Sequence, residues 1–177
     1  MELWDLYDID RQKTGETHPR GTPVPEDRYR MVVHVAIFST DGRMLIQQRQ
    51  AFKSSWANLW DVTIGGCAVA GETSRAAAMR ELEEELGLVA DLQDVRPRMT
   101  IHFDDGFDDI FTLIWDVDLA SVTLQESEVQ AVQWATEEDI HRMIAEGTFI
   151  PYHAGFISLL FTLRNQRNSF TRPDKEK

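Results

Sequence analysis

The chain has 177 residues, 18 basic against 30 acidic side chains for a formal net charge of -12, and 42% hydrophobic residues including five Trp and nine Phe. That apolar content excludes a disordered chain, and the length suits one domain with a real core. The acidity excludes a general nucleic-acid surface, which needs a basic stripe, and no apolar run approaches the roughly 20 residues that span a bilayer.

In chain order, Trp4-Asp5-Leu6-Tyr7 alternates and predicts a short strand. The Pro- and Gly-punctuated stretch over 13–28 reads as a long functional loop. The β-branched run 31–38, a turn at Asp41-Gly42 and the run 43–49 predict a hairpin. Residues 59–66 predict a strand ending on paired glycines, and a helix then runs from a cap at Thr73 or Ser74 to Gly87. A second hairpin is expected from 96–103 and 111–119 around an acidic, solvated turn at 104–109. A short strand at 131–135, a helix over 137–146 capped by Thr136 and an amphipathic helix over 153–165 complete the set. A single domain over 1–166 and a flexible polar tail over 167–177 follow, with no internal repeat. The order of elements predicts an α/β protein, a mixed sheet with helices on its faces.

The helix carries the strongest chemical signal. Met79, Leu82 and Leu86 share one arc with Ala78, while Glu81, Glu84 and Glu85 sit at i, i+3 and i+4 on another. Like charges at that spacing repel, and the negative end of the helix dipole adds to the cost. A hard divalent cation such as Mg2+ reverses that cost, because it prefers carboxylate oxygens and keeps waters and phosphates as its other ligands.

Gly66, Glu72, Arg80-Glu81-Leu82, Glu84-Glu85 and Gly87-Leu88 fit Gly-x5-Glu-x7-Arg-Glu-U-x-Glu-Glu-x-Gly-U, with U a bulky aliphatic residue. This is the Nudix box, and the chain resembles Nudix hydrolases. The resemblance implies an α/β/α sandwich whose loop-helix-loop holds Mg2+, with Mn2+ as a substitute, and hydrolyses a diphosphate bond. It implies Glu81, Glu84, Glu85 and the Gly65 carbonyl as metal ligands. Gly66, Glu72, Arg80 and Gly87 take supporting roles, Arg80 pairing with Glu72, and Glu83 faces solvent. The general base is left open among Glu84, Glu85 and a later glutamate, Glu128.

Outside the box the leading strand, Arg20-Gly21-Thr22-Pro23-Val24-Pro25, the stretch 45–60, Glu126-Ser127-Glu128-Val129 and the following Trp134 look like isopentenyl diphosphate isomerase and its hydrolase-like relatives, a resemblance that extends over roughly 1–165. That resemblance implies Arg49 and Lys53 as diphosphate-binding cations, and Glu126 and Glu128 as an additional metal ligand and a base. It also exposes departures. The isomerase's Cys falls at Gly65 and two of its metal-binding histidines at Arg30 and Cys67, so hydrolysis is expected, with isomerase activity and a non-catalytic nucleotide-binding module as alternatives. Cys67 reads as a partly buried thiol, His34 as a hydrogen-bonded core histidine, and Trp56 and Trp60 as core or pocket wall, an aromatic also being able to stack on a nucleobase. Arg20 is a candidate phosphate contact, and Tyr152, His153 and Phe156 are candidates for lining the pocket. The expected partner is a small-molecule diphosphate, not nucleic acid or membrane, with a homodimer an open alternative. One Cys and no basic-then-apolar leader point to the cytoplasm.

Overall fold

The computed structural model describes residues 2–165. Its strands are β1 (Leu3–Tyr7), β2 (Lys13–Pro19), β3 (Arg30–Phe38), β4 (Met44–Arg49), β5 (Trp60–Asp61), β6 (Ile64–Cys67), β7 (Met99–Phe103), β8 (Gly106–Ile114) and β9 (Val129–Ala135). The α-helices are α1 (Ser74–Leu86), α2 (Glu137–Ala145) and α3 (Ala154–Leu163). β1 and β2 form an antiparallel hairpin, and the other seven strands form one mixed sheet. Within it β3 pairs with β8 in parallel and with β6 in antiparallel, while β4 pairs with β5 and β9.

Side-chain alternation along β3 creates two cores. Val33, Val35 and Ile37 point toward α1, where they meet Ala77, Ala78, Leu82 and Leu86. Ala36 and Phe38 point the other way, into a cluster with Ile140 of α2 and Ile157, Leu160 and Phe161 of α3. Helices therefore cover both faces of the sheet, the α/β/α arrangement expected. β8 obeys the same period, with Phe107 and Phe111 on the α1 face and Ile110 on the other. By that alternation Asp108 shares the face of Ile110, and His34 shares the face of Ala36.

Several expectations need correction. Residues 13–19 are strand β2, because Leu3↔Pro19 through Tyr7↔Lys13 pair across β1 despite the bulge between Asp5 and Tyr7. The run 59–66 is two strands on different partners, and the second continues to Cys67. The β3–β4 turn exists, but only Phe38↔Met44 pair across it. The turn expected at 104–109 is shorter: Asp108 and Asp109 belong to β8, which ends at Ile114. Both carboxylates have partners, Asp109 accepting from Arg11 and Thr100. β9 begins two residues earlier than predicted. The capped helices α1 and α2 begin as predicted, each with its threonine accepting a backbone N–H. The tail from residue 167 lies outside the described residues.

Candidate active site

α1 is placed with its carboxylates at a cleft by close packing of backbone on side chain. Gly87, with φ at 67°, adopts the left-handed geometry that ends the helix, and its N–H bonds back to Glu83 and Leu82 carbonyls. Beyond it, Thr123 N–H donates to Leu86 O and Gln125 N–H to Glu85 O, both at 3.0 Å. These two bonds draw the segment before β9 to the helix end and bring Gln125 and Glu128 to the cleft. Gly66 lies against the other side: a Cβ there would come within 2.1 Å of Glu81 Oε1. Only a residue without a side chain leaves Glu81 room.

Glu81 and Glu85, one turn apart, are just 8% and 5% exposed. Burial, and then Glu81 beside it, push the Glu85 carboxyl up to about 8, against a hydrogen bond from Gln47 Nε2 to Glu85 Oε2 at 3.0 Å that favours the charged form. Burial also raises Glu81, despite the attraction of Arg80. Gln47 Oε1 is buried and has no partner. Arg80 knits the loop together: its Nε donates to Glu72 Oε1 at 2.8 Å, and its Nη2 donates to Glu72 Oε2 and the Cys67 carbonyl, each at 3.1 Å. The other terminal nitrogen, Arg80 Nη1, lies 3.0 Å from both Glu81 Oε1 and Glu84 Oε2. Glu72 also accepts from Val69 N–H at 2.8 Å, so the expected Glu72–Arg80 pair orders the loop. Glu84 and Glu83 are exposed.

Among the described residues no three His, Cys, Asp or Glu side chains are gathered as a ready metal cage. Arg80 occupies that electrostatic role for Glu81 and Glu84 here. The donor set nevertheless fits a hard cation: burial raises the pKa of both Glu81 and Glu85, with Glu81 raising Glu85 further, an exposed third carboxylate, Glu84, is within the same turn and raises Glu81, and Gly65 and Gly66 border the cleft.

This cleft, about 260 Å³, is also lined by Arg20, Arg49 and Lys53. Arg49 makes two 3.4 Å contacts with the Ser55 carbonyl, and Lys53 Nζ donates to Glu128 Oε2 at 2.5 Å. Arg49, Lys53 and Glu128 thus line the same cleft as Glu81, Glu84 and Glu85. Glu126 does not: it is exposed and stands outside the lining, with Gln125 and Glu128 facing in instead. Arg20, reached through the β1–β2 hairpin and bonded to Glu2 at 2.5 Å, does join the site.

A second cavity of about 760 Å³ opens from the first, sharing Arg20, Arg49, Ser55, Gly65 and Gly66 with it. His34, Asp61, Asp108 and Tyr152 line it, with Trp56 at the exposed mouth. His34 is hydrogen-bonded as expected, its Nδ1 2.7 Å from Asp108 Oδ2, but it faces a cavity rather than lying sealed in the core. Burial lowers its pKa, and the Asp108 carboxylate outweighs that and brings it to about 9. Tyr152 lines the cavity just before α3, whereas His153 and Phe156 do not, Phe156 packing on the Tyr152 ring at 5.2 Å. Trp60 is half-buried against the second core. Cys67 is half-buried, its Sγ 3.4 Å from Arg30 Nη1, and burial raises the thiol. Sequence reasoning missed Asp61, Asp108 and Gln47; an acidic or amide residue in an apolar strand was the available signal.

The decisive comparison is with protein families: the NUDIX domain matches residues 28–160. The chain belongs to the Nudix family. It is 43% identical over 165 residues to an uncharacterized Nudix hydrolase of Listeria monocytogenes, covering 93% of this chain and 96% of that one. A CTP pyrophosphohydrolase of Escherichia coli is 34% identical over 128 residues, 72% of this chain and 91% of its own. The crystal structure of DR0079 from Deinococcus radiodurans superposes with a TM-score of 0.72 at 23% identity, covering 89% of this chain and 98% of that one, which supports the fold. Likeness to an isopentenyl-diphosphate isomerase of Nocardia farcinica reaches 46% identity but spans 61 residues, 34% of this chain. Among the described residues no helix is long and apolar enough to cross a membrane.

Proposed function

We propose that this Nudix hydrolase cleaves the diphosphate bond of a nucleoside diphosphate derivative or related organic diphosphate with Mg2+, Mn2+ serving as a substitute. The observation that carries the reading is the pair of buried, mutually repelling carboxylates Glu81 and Glu85 facing the same cleft as Arg20, Arg49 and Lys53. Acids that resist ionisation and cations beside them suit a site that takes a divalent ion together with phosphate oxygens.

Glu81, Glu84, Glu85 and the Gly65 carbonyl would hold the metal, which, when bound, neutralises phosphate charge and lowers the pKa of a water. Glu84 must exchange Arg80 for that role. Arg49 and Arg20 hold the phosphate oxygens, with the planar guanidinium suited to paired contacts. Lys53 can turn from Glu128 to phosphate, which frees the Glu128 carboxylate to take a proton from water. Glu84, Glu85 and Glu128 line the cleft and are the three candidates for the base, whereas Glu126 stands outside it.

The isomerase alternative gains no support. A Cβ at Gly65, where that enzyme has its Cys, would lie 2.4 Å from His34 Nε2, so the ring blocks the thiol's place. Turnover of nucleoside diphosphate derivatives with Mg2+, lost with EDTA and reduced about 1,000-fold in Glu85→Gln, is the expected result. Tight nucleotide binding without turnover in any metal would instead establish a binding module.

A further inference from the structure

The second cavity has a floor that the cleavage reaction does not use. His34 and Asp108 come from β3 and β8, whose parallel register sets Val32 beside Asp108 and His34 beside Ile110, so the two side chains meet diagonally on one face. Asp108 Oδ2 is taken by His34, but Asp108 Oδ1 is buried with no partner. Asp61, 3% exposed, accepts from Val62 N–H at 2.7 Å and Tyr152 O–H at 2.8 Å through Oδ1 alone. Its Oδ2 has no protein donor among the described residues. Two carboxylates against one imidazole leave the floor with spare acceptors, and an unmet buried acceptor costs stability unless a ligand satisfies it.

Resting on the hydrolase reading for the position of the diphosphate, we propose that Asp108 and Asp61 read an amino group on a planar heterocycle, making the substrate an amino-bearing nucleoside diphosphate derivative. Both cavities share Arg49, Gly65 and Gly66, so a diphosphate at the glutamates extends its organic group onto this floor. The Trp56 ring at the mouth and the Tyr152 ring beside Asp61 offer flat apolar surface to the heterocycle. A carbonyl in place of the amine would set oxygen against carboxylate oxygen.

The test is calorimetric binding of the α,β-methylene analogues of CDP, UDP, ADP and IDP to the full-length protein with Mg2+, alongside turnover of the parent nucleotides. Cytosine against uracil, and adenine against hypoxanthine, exchange an amino group for an oxo group at nearly constant shape. Binding of the amino member at least fivefold tighter in one pair is the expected result, with about tenfold or more anticipated for a buried acceptor. A smaller preference, a preference for the oxo member, or no binding of any of the four overturns it. Asp108→Asn, checked for folding by circular dichroism, and Asp61→Asn as a second variant should bring the ratio below threefold. Retention of the wild-type ratio in both overturns the assignment to these carboxylates. Selective binding with no turnover would sink the hydrolase reading and spare this one; equal hydrolysis of both members would do the reverse.

Discussion

The α1 glutamates and the cavity-floor aspartates are two solutions to burying acid. On α1, Glu81 and Glu85 stand one turn apart, and Glu85 has only the neutral Gln47 as a hydrogen-bond donor. On the floor, Asp108 faces His34 and Asp61 faces Tyr152, each acid answered by a side chain from a separate element. The first arrangement is electrostatically unfavourable by itself; the second is half-satisfied, with one oxygen of each acid given no protein donor among the described residues. The proposed metal site and the proposed amino-reading floor therefore draw on different chain segments, so mutations should be able to strike one and spare the other.

The largest break should come from Gly66→Ala. The new Cβ would sit 2.1 Å from Glu81 Oε1 and 2.8 Å from its Cγ, and displacement of a ligand by about 1 Å costs roughly 100-fold. Steady-state kinetics should show kcat/KM falling by at least that factor while the amino-to-oxo preference survives; loss of both would mean that the two regions are not separable. Leu82→Ala should act on stability: Leu82 is fully buried beneath the same helix, and its removal costs about 2–5 kcal/mol, read from urea unfolding. Glu72→Gln should have a smaller effect, because it weakens the charged contacts to Arg80 and leaves the metal oxygens in place. The Mg2+ concentration for half-maximal turnover should rise about tenfold, with kcat restored at saturating metal. Failure of excess Mg2+ to restore kcat would show that Glu72 touches the chemistry itself.

The same contrast explains what could be read from the chain. The box is local: its spacing follows from one helix, the loop before it and the Gly87 stop, so Glu81, Glu84, Glu85, Glu72 and Arg80 could be assigned from residue types in order. The floor is not local. Asp108 meets His34 only because β8 runs parallel beside β3, a pairing that neither segment announces, and Asp108 read instead as part of an acidic turn. β2 was hidden for a related reason, since its residues are polar and its pairing is with an edge hairpin rather than the core sheet. Glu126 was not separable from its neighbours by position alone: in the loop that Gln125 N–H ties to Glu85 O, Gln125 and Glu128 line the cleft and Glu126 does not.

The smallest effect lies farthest from the carboxylates and serves as the control for both regions. Thr136 accepts the Asp139 N–H at 3.1 Å, and Asp139 Oδ2 accepts the Thr136 N–H at 3.1 Å, closing a reciprocal cap at the start of α2. Thr136→Ala should cost about 1 kcal/mol and leave kcat/KM per folded molecule within about twofold, because α2 carries no cleft residue. The backbone bond from Thr136, then Arg142 and the Thr136 hydroxyl, hold the Asp139 carboxyl below its ordinary value. A carboxyl depressed in the folded state adds stability above the unfolded value of 3.8 and loses it as pH falls through the folded one. Thr136→Ala removes only the hydroxyl's share of that depression, the backbone bond and Arg142 remaining, so its difference from the wild type should be full near neutrality and shrink in part below about pH 4. A difference that persists unchanged into acid would assign the cap to the hydroxyl alone and remove Asp139 from it.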